Sequence, residues 1–489
     1  MIRHIIRTIA ISSASLAALG ACALAEPETN TDTLSAAQAI EDLDRLYEGL
    51  EAGHANLFAA TPKPVFDAKY EALRARYTAP VSLAELHSDF QRFTALAHHA
   101  HARINSLNPG FRAHIEAGGK VFPLKLSVVD GEVVVAGAPS GSDVKPGDRL
   151  RALEGEPNPI WLAGLLAFIP AETPALAYSM MSGGEPYYMW LAYGPKDTFN
   201  VTVERSEETI TAALPAIPID EIDTLVTQEK GFDLAGREAR LLSETVGYLR
   251  PGPFFDVDAT EPGEAYSKDA VAAFTAFVDD AFTGFIQAGV SDLVLDLRDN
   301  PGGDNSFSDP IVAWFADEPF RFASDFRIRV SAEAIASNQA RLETAGEDST
   351  SARLAALYAS AAPGEVVSYE LPYAAPRQGE RFEGDVHVLV NRYSYSNAVT
   401  VAALIQDYRF GTIYGEPTRD MATTYGGMEQ FTLPNTGFPV GFPKAHIIRP
   451  NGDETPHPVT PDVPLRAPAI RGAEDVRLDA LVARIREAG

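Results

Sequence analysis

Two serines stand in the stretch NRYSYSNAVT (391–400), between the apolar run VHVLV (386–390) and the helical pattern VAALIQDY (401–408). A β-branched run that turns at once into a helix places the intervening loop at a helix amino terminus. Free backbone N–H groups and the helix dipole favour negative charge there, so a serine nucleophile would find an oxyanion site at hand. One good oxyanion donor contributes about 2.7–4 kcal/mol to the activation free energy. The same chemistry also suits Ser394 or Ser396 as an ordinary helix cap, and the loop alone leaves both readings open.

Three further stretches carry reactive chemistry. In DLVLDLRDNPGGDN (292–305), Gly302 and Gly303 follow a strand; they tolerate positive φ and let backbone N–H groups approach a ligand closely. In LAHHAHARI (96–104), His98, His99 and His101 supply imidazoles, which suit proton transfer near neutral pH. His-x-His on a strand would also put two metal ligands on one face, but no H-E-x-x-H or carboxylate partner motif accompanies it, and neither metal nor cofactor is expected. In NGDETPHPVTPDV (451–463), Asp453 and Glu454 offer adjacent carboxylates. Cys22 is the only cysteine, which excludes an internal disulfide and a cysteine nucleophile in the rest of the chain.

The elements that must position these residues fall into three textures. Leu34 to Leu107 reads as helical, with Ile40, Leu43, Leu46 and Leu50 at helical spacing and Ser82 and Glu85 at capping-box spacing. Val121 to about Pro215 holds short β-type runs with the turn Pro146-Gly147-Asp148, a pattern that resembles a PDZ-like module. From about 245 onward strands and helices alternate, predicting an α/β layer with mostly parallel pairing and a polar helical insertion around 331–360. The predicted organisation is an export signal over 1–25, a helical module over 26–117, a PDZ-like domain over 118–217, an α/β core over 218–470 and a C-terminal helix over 471–489.

LDLRDNPGG followed by VHVLVNRYSYSNAVTVAALIQDYRFGTIYGEPT resembles the catalytic core of the C-terminal processing, or tail-specific, serine proteases and their tricorn-like relatives. The resemblance implies a crotonase-like (ClpP-like) α/β core. It makes Ser396 the nucleophile, Ser394 its supporting neighbour, and Gly302, Gly303 and Asn397 the oxyanion-hole residues. The tail-specific branch carries a lysine after GEPT, whereas this chain reads GEPTRDMATTYGG with Met421 at that position. A thioether cannot accept a proton, so a Ser-Lys dyad is excluded there. The tricorn-like branch uses histidine and glutamate, and the resemblance then assigns His101 as the base and Glu454 as its orienting acid, with Asp453 as the alternative. HHAHARI departs from the D-G-H signature by placing His99 and Ala100 at its first two positions. The expected activity is peptide-bond hydrolysis through an acyl-enzyme; a catalytically inactive relative that binds peptides or apolar ligands is the alternative.

At 489 residues with a formal net charge of −27, the chain is large enough for several cores, and its charge disfavours nucleic acid and anionic membranes as partners. The expected partner is a peptide or unfolded protein substrate. The amino terminus MIRHIIRTIAISSASLAALGACALAEPETN places Arg3 and Arg7 before an apolar stretch, as export signals do. Cleavage after Ala25 would release a soluble periplasmic protein, and cleavage before Cys22 would leave a lipid anchor as the one membrane attachment. The sequence fixes neither this choice nor the oligomeric state.

Overall fold

The computed structural model describes residues 32–227, 236–259, 264–342, 350–466, 468–472 and 474–488, so the export segment and Cys22 lie outside the described residues. The carboxy-terminal half is organised by a six-stranded sheet in the order Glu238–Leu241, Val246–Arg250, Asp292–Asp296, Asp385–Val390, Thr412–Gly415, Val463–Pro464. Only the first pairing is antiparallel. Parallel strands need both faces covered, which explains their near-continuous apolar runs. Leu293, Leu295, Val388 and Val390 face the helices Lys268–Gln287, Asn305–Ala313 and Asn397–Tyr408, with Phe274, Phe282, Phe285 and Ile405 among their neighbours. Val294 and Leu389 face the opposite way, onto Leu478, Leu481 and Ile485 of the C-terminal helix Val476–Ala488. Alternation along each strand thus assigns residues to one layer or the other.

A second, antiparallel sheet runs Val366–Ser368, Asp325–Arg329, Pro439–Ile448, Thr424–Thr432. The short strand Arg103–Ile104 also pairs with Pro439–Ile448, Arg103 opposite Gly441. The long hairpin formed by Thr424–Thr432 and Pro439–Ile448 was not expected from the sequence, where its glycines and charges obscure the strand period. Three helices, Ala36–Gly53, Lys63–Arg76 and Leu83–Ala95, pack on it: Phe431, Val440 and Phe442 share a core with Leu43, Leu46 and Phe90. A Cβ at Gly53 would fall 2.8 Å from the Phe442 ring, so the helix lies on the hairpin with no room for a side chain there. Ser82 caps its helix by accepting from the Glu85 N–H, while the complete capping box forms instead at Ser35 and Gln38.

Residues 120–218 form a β-rich unit around the sheet order Glu208–Pro215, Thr198–Arg205, Arg149–Leu153, Glu132–Ala138, with Lys125–Val129 paired to Glu132–Ala138. Its helices Pro174–Met181 and Glu185–Tyr193 were missed by the periodicity argument because they are apolar on nearly all sides. Between them and the preceding helix Asn158–Leu166 runs the segment 168–173, which reaches the site described next.

Candidate active site

The strand Asp385–Val390 delivers the serine loop, and the helix Asn397–Tyr408 leaves it. Ser394 is 1% exposed; its hydroxyl donates to the Leu297 carbonyl and accepts from the Asn391 N–H, which ties the loop to the neighbouring strand end. That hydroxyl is committed to structure. Ser396 occupies the cap position of the helix but makes no side-chain cap bond, so the capping reading does not describe it. Its backbone stands at φ 52°, ψ −125°, a region that costs a non-glycine residue about 1–3 kcal/mol and is held only where the surroundings dictate it. Asp420, fully buried, supplies one such hold by accepting the Ser396 N–H at 2.6 Å and the Met421 N–H at 2.8 Å.

The glycine loop closes against this turn. A Cβ on Gly302 would lie 2.7 Å from the Asn397 nitrogen and 2.8 Å from the Ser396 Cβ, so only glycine admits the approach. Its φ is 84° and that of Gly303 is 135°, with the latter against the Phe254 carbonyl. The expected donor set needs one correction. The Gly302 N–H is spent on Asn300 Oδ1 at 2.8 Å, so Gly302 contributes space and not a free donor. Gly303 and Asn397 retain their N–H groups, the latter on the first residue of the helix, where such groups have no intrahelical partner. Asn397 is positioned by its own side chain, which donates to Ser308 Oγ at 3.0 Å.

His101 reaches the loop from the helical module, just before the strand Arg103–Ile104. Its ring stacks on Tyr395, the residue preceding Ser396, with centroids 5.7 Å apart and planes 19° from parallel. Burial, then the Arg103 guanidinium and His99, push its pKa down to about 3, while a hydrogen bond to the Tyr425 backbone acts in the opposite sense. The ring is therefore unprotonated at neutral pH and able to accept a proton. The Ser396 hydroxyl donates to no described residue, so proton transfer requires the imidazole to close to about 3 Å. His99 belongs to a separate chain of rings: its Nδ1 lies 3.0 Å from His54 Nε2, and Tyr425 packs against both rings. Among the described residues no group of three or more metal-binding side chains forms.

Glu454 is placed elsewhere. Its carboxylate takes a forked pair from Arg327 at 2.8 and 3.1 Å, is more than half exposed, and has its pKa held low by that guanidinium. The imidazole electrostatically closest to it is His446, not His101. Asp453 is likewise engaged, with His457 Nε2 at 2.9 Å. The carboxylates near the Ser396 loop are instead Asp420 and Glu172, neither singled out by the sequence. Glu172, in the segment 168–173, accepts from the Ala100 N–H at 3.3 Å. Burial raises both acids, Asp420 to about 6, and their mutual repulsion lifts Glu172 further. The one legible signal for Asp420 was its place beside Met421, at the position where the sequence resemblance called for a lysine; Glu172 had none.

A strained serine at a helix start, a glycine loop pressed against it and an imidazole stacked on the adjoining tyrosine thus meet at one place. Residues 264–465 match the sequence model of peptidase family S41, so this stretch of the chain is a serine peptidase domain. None of the curated proteins compared with the chain matches it. Among solved structures the fold is similar to mature CPAF complexed with lactacystin (15% identity, 93% of this chain and 97% of that one, TM-score 0.60) and to mature CPAF alone (15%, 93% and 96%, 0.59). The photosystem II D1 C-terminal processing protease matches more loosely (16%, 87% and 93%, 0.42).

Proposed function

We propose that this serine peptidase cleaves peptide or unfolded protein substrates by a Ser-His mechanism through an acyl-enzyme, on a crotonase-like core with a PDZ-like β-rich unit. Ser396 Oγ attacks the scissile carbonyl, His101 takes its proton and returns it to the leaving amine, and the N–H groups of Gly303 and Asn397 receive the oxyanion. The observation that carries this reading is the convergence at Ser396: a strained backbone fixed by Asp420, with Gly302 pressed against it and the Asn397 N–H beside it.

Imidazolium is disfavoured in so buried a setting, so a negative charge must stabilise it during proton transfer. Glu454 fills that role only after leaving Arg327, and in the described arrangement the Tyr425 backbone is what holds the ring. The proposed location is the bacterial periplasm, free or anchored through Cys22; its support is the amino-terminal sequence alone. A peptide-library cleavage assay of the wild type beside Ser396→Ala tests the function. Cleavage that disappears with Ser396→Ala is expected; equal cleavage by both proteins would refute it.

A further inference from the structure

Arg103 lies two residues beyond His101 and is 7% exposed, yet its Nε and Nη2 have no hydrogen-bond partner among the described residues. Burying an unpaired guanidinium is costly, and the cost is recovered when an anion meets it. The buried hydroxyl of Tyr395, next to the nucleophile, is also without a partner. Arg103 interacts electrostatically with Tyr395, Tyr188 and Glu172. The residues around it are only partly closed to solvent, Glu172, Tyr395 and Ser396 each being half-buried.

We propose that Arg103 and the Tyr395 hydroxyl form a carboxylate-binding subsite beside the nucleophile, selecting substrates that carry an acidic side chain or a free α-carboxylate near the scissile bond. The inference rests on Ser396 being the nucleophile of the proposed function. A planar guanidinium with two open donors fits a carboxylate by two parallel hydrogen bonds, and a phenol O–H adds a third. The anions that would repel such a ligand are Glu172 and Asp420. Burial raises both, Asp420 to about 6, so that repulsion weakens as the pH falls toward and below 6. His101, the remaining titratable neighbour, is neutral and adds none.

The test uses the full chain carrying Ser396→Ala, so that ligands bind without turnover. Fluorescein-labelled octapeptides of one parent sequence carry Glu or Gln scanned through each position, and end in a free carboxylate or a carboxamide. Fluorescence anisotropy is expected to show one acidic arm binding about tenfold or more tighter than its amide counterpart. Adding Arg103→Gln should abolish that preference, while Arg103→Lys, which keeps charge but loses the fork, should retain part of it. The Glu/Gln arm reports a side-chain carboxylate and the terminal arm an α-carboxylate. Equal binding of acid and amide in every arm, or a preference unchanged by Arg103→Gln, would overturn the subsite. Fluorophosphonate labelling of the chain with Ser396 intact is run in parallel. Absence of labelling at Ser396 with the preference intact would refute the nucleophile, leaving Arg103 a carboxylate-binding group and overturning its role in selecting substrates.

Discussion

The loops that carry Ser396 and Glu454 are held in opposite ways. Ser396 is fixed through its backbone by a buried carboxylate and by a glycine that admits no side chain, so its position is dictated by packed, low-dielectric surroundings. Glu454 is fixed through its side chain by a solvent-facing pair with Arg327, an arrangement that water screens and that contributes little to stability. The first loop is preorganised for chemistry and the second can be rearranged at little cost. Sequence motif assigned both loops to one site, with Asp453 as an alternative to Glu454; the structure separates the two loops by what holds them.

The comparison is broken most severely at the preorganised loop. Ser396→Ala should lower kcat/KM by about a thousandfold or more in a peptide-cleavage assay, and His101→Gln by a comparable factor, provided circular dichroism shows both variants folded. A smaller loss for Ser396→Ala would remove the nucleophile. Asp420→Asn weakens the charge-assisted bond to the Ser396 N–H and should cost about 10–100-fold in kcat with KM little changed. A rise in KM at constant kcat would show that Asp420 acts on binding and does not position the serine. Glu454→Gln sharpens the contrast from the other side, with a loss of no more than about tenfold expected in kcat/KM. A loss as large as that of His101→Gln would mean the loop leaves Arg327 in the working enzyme.

The pH profile gives the smallest effect. His101 is lowered to about 3 by burial, so its base form persists well below the ordinary histidine range, and the acid limb of kcat/KM should fall below pH 6.5. Asp420 is raised to about 6, so protonation on acidification weakens its hold on the Ser396 N–H, and the limb should become shallower in Asp420→Asn. A single limb near pH 6.5, unchanged by Asp420→Asn, would contradict both assignments.

Much of the core was legible because its information is local. The run from Asp385 to Tyr408 announces strand, turn and helix by an abrupt change of period, and Gly302-Gly303 announces a turn whose geometry few other residues allow. His101 was singled out through its motif, although nothing in LAHHAHARI distinguishes it physically from His99, which turns to His54 instead. Asp420, Glu172 and Arg103 were not read as site residues. Each is a charged residue whose local sequence gives no sign of its surroundings, which come from segments distant in the chain. Such nonlocal desolvation leaves no periodic trace in the chain. The hairpin Thr424–Thr432 and Pro439–Ile448 escaped for a related reason: Gly426 and Gly427 interrupt its first strand, and its buried Glu429 and Lys444 satisfy each other across the pair.

The central claim is that Ser396 is activated by an imidazole delivered from the helical module, in a chain whose lysine position is occupied by Met421. Fluorophosphonate labelling followed by peptide mass spectrometry tests it most directly, comparing wild type with folded His101→Gln. The account predicts a single adduct on Ser396 in the wild type and labelling slowed by about a hundredfold or more in the variant. Equal rates in the two proteins, or an adduct on another residue, would contradict it.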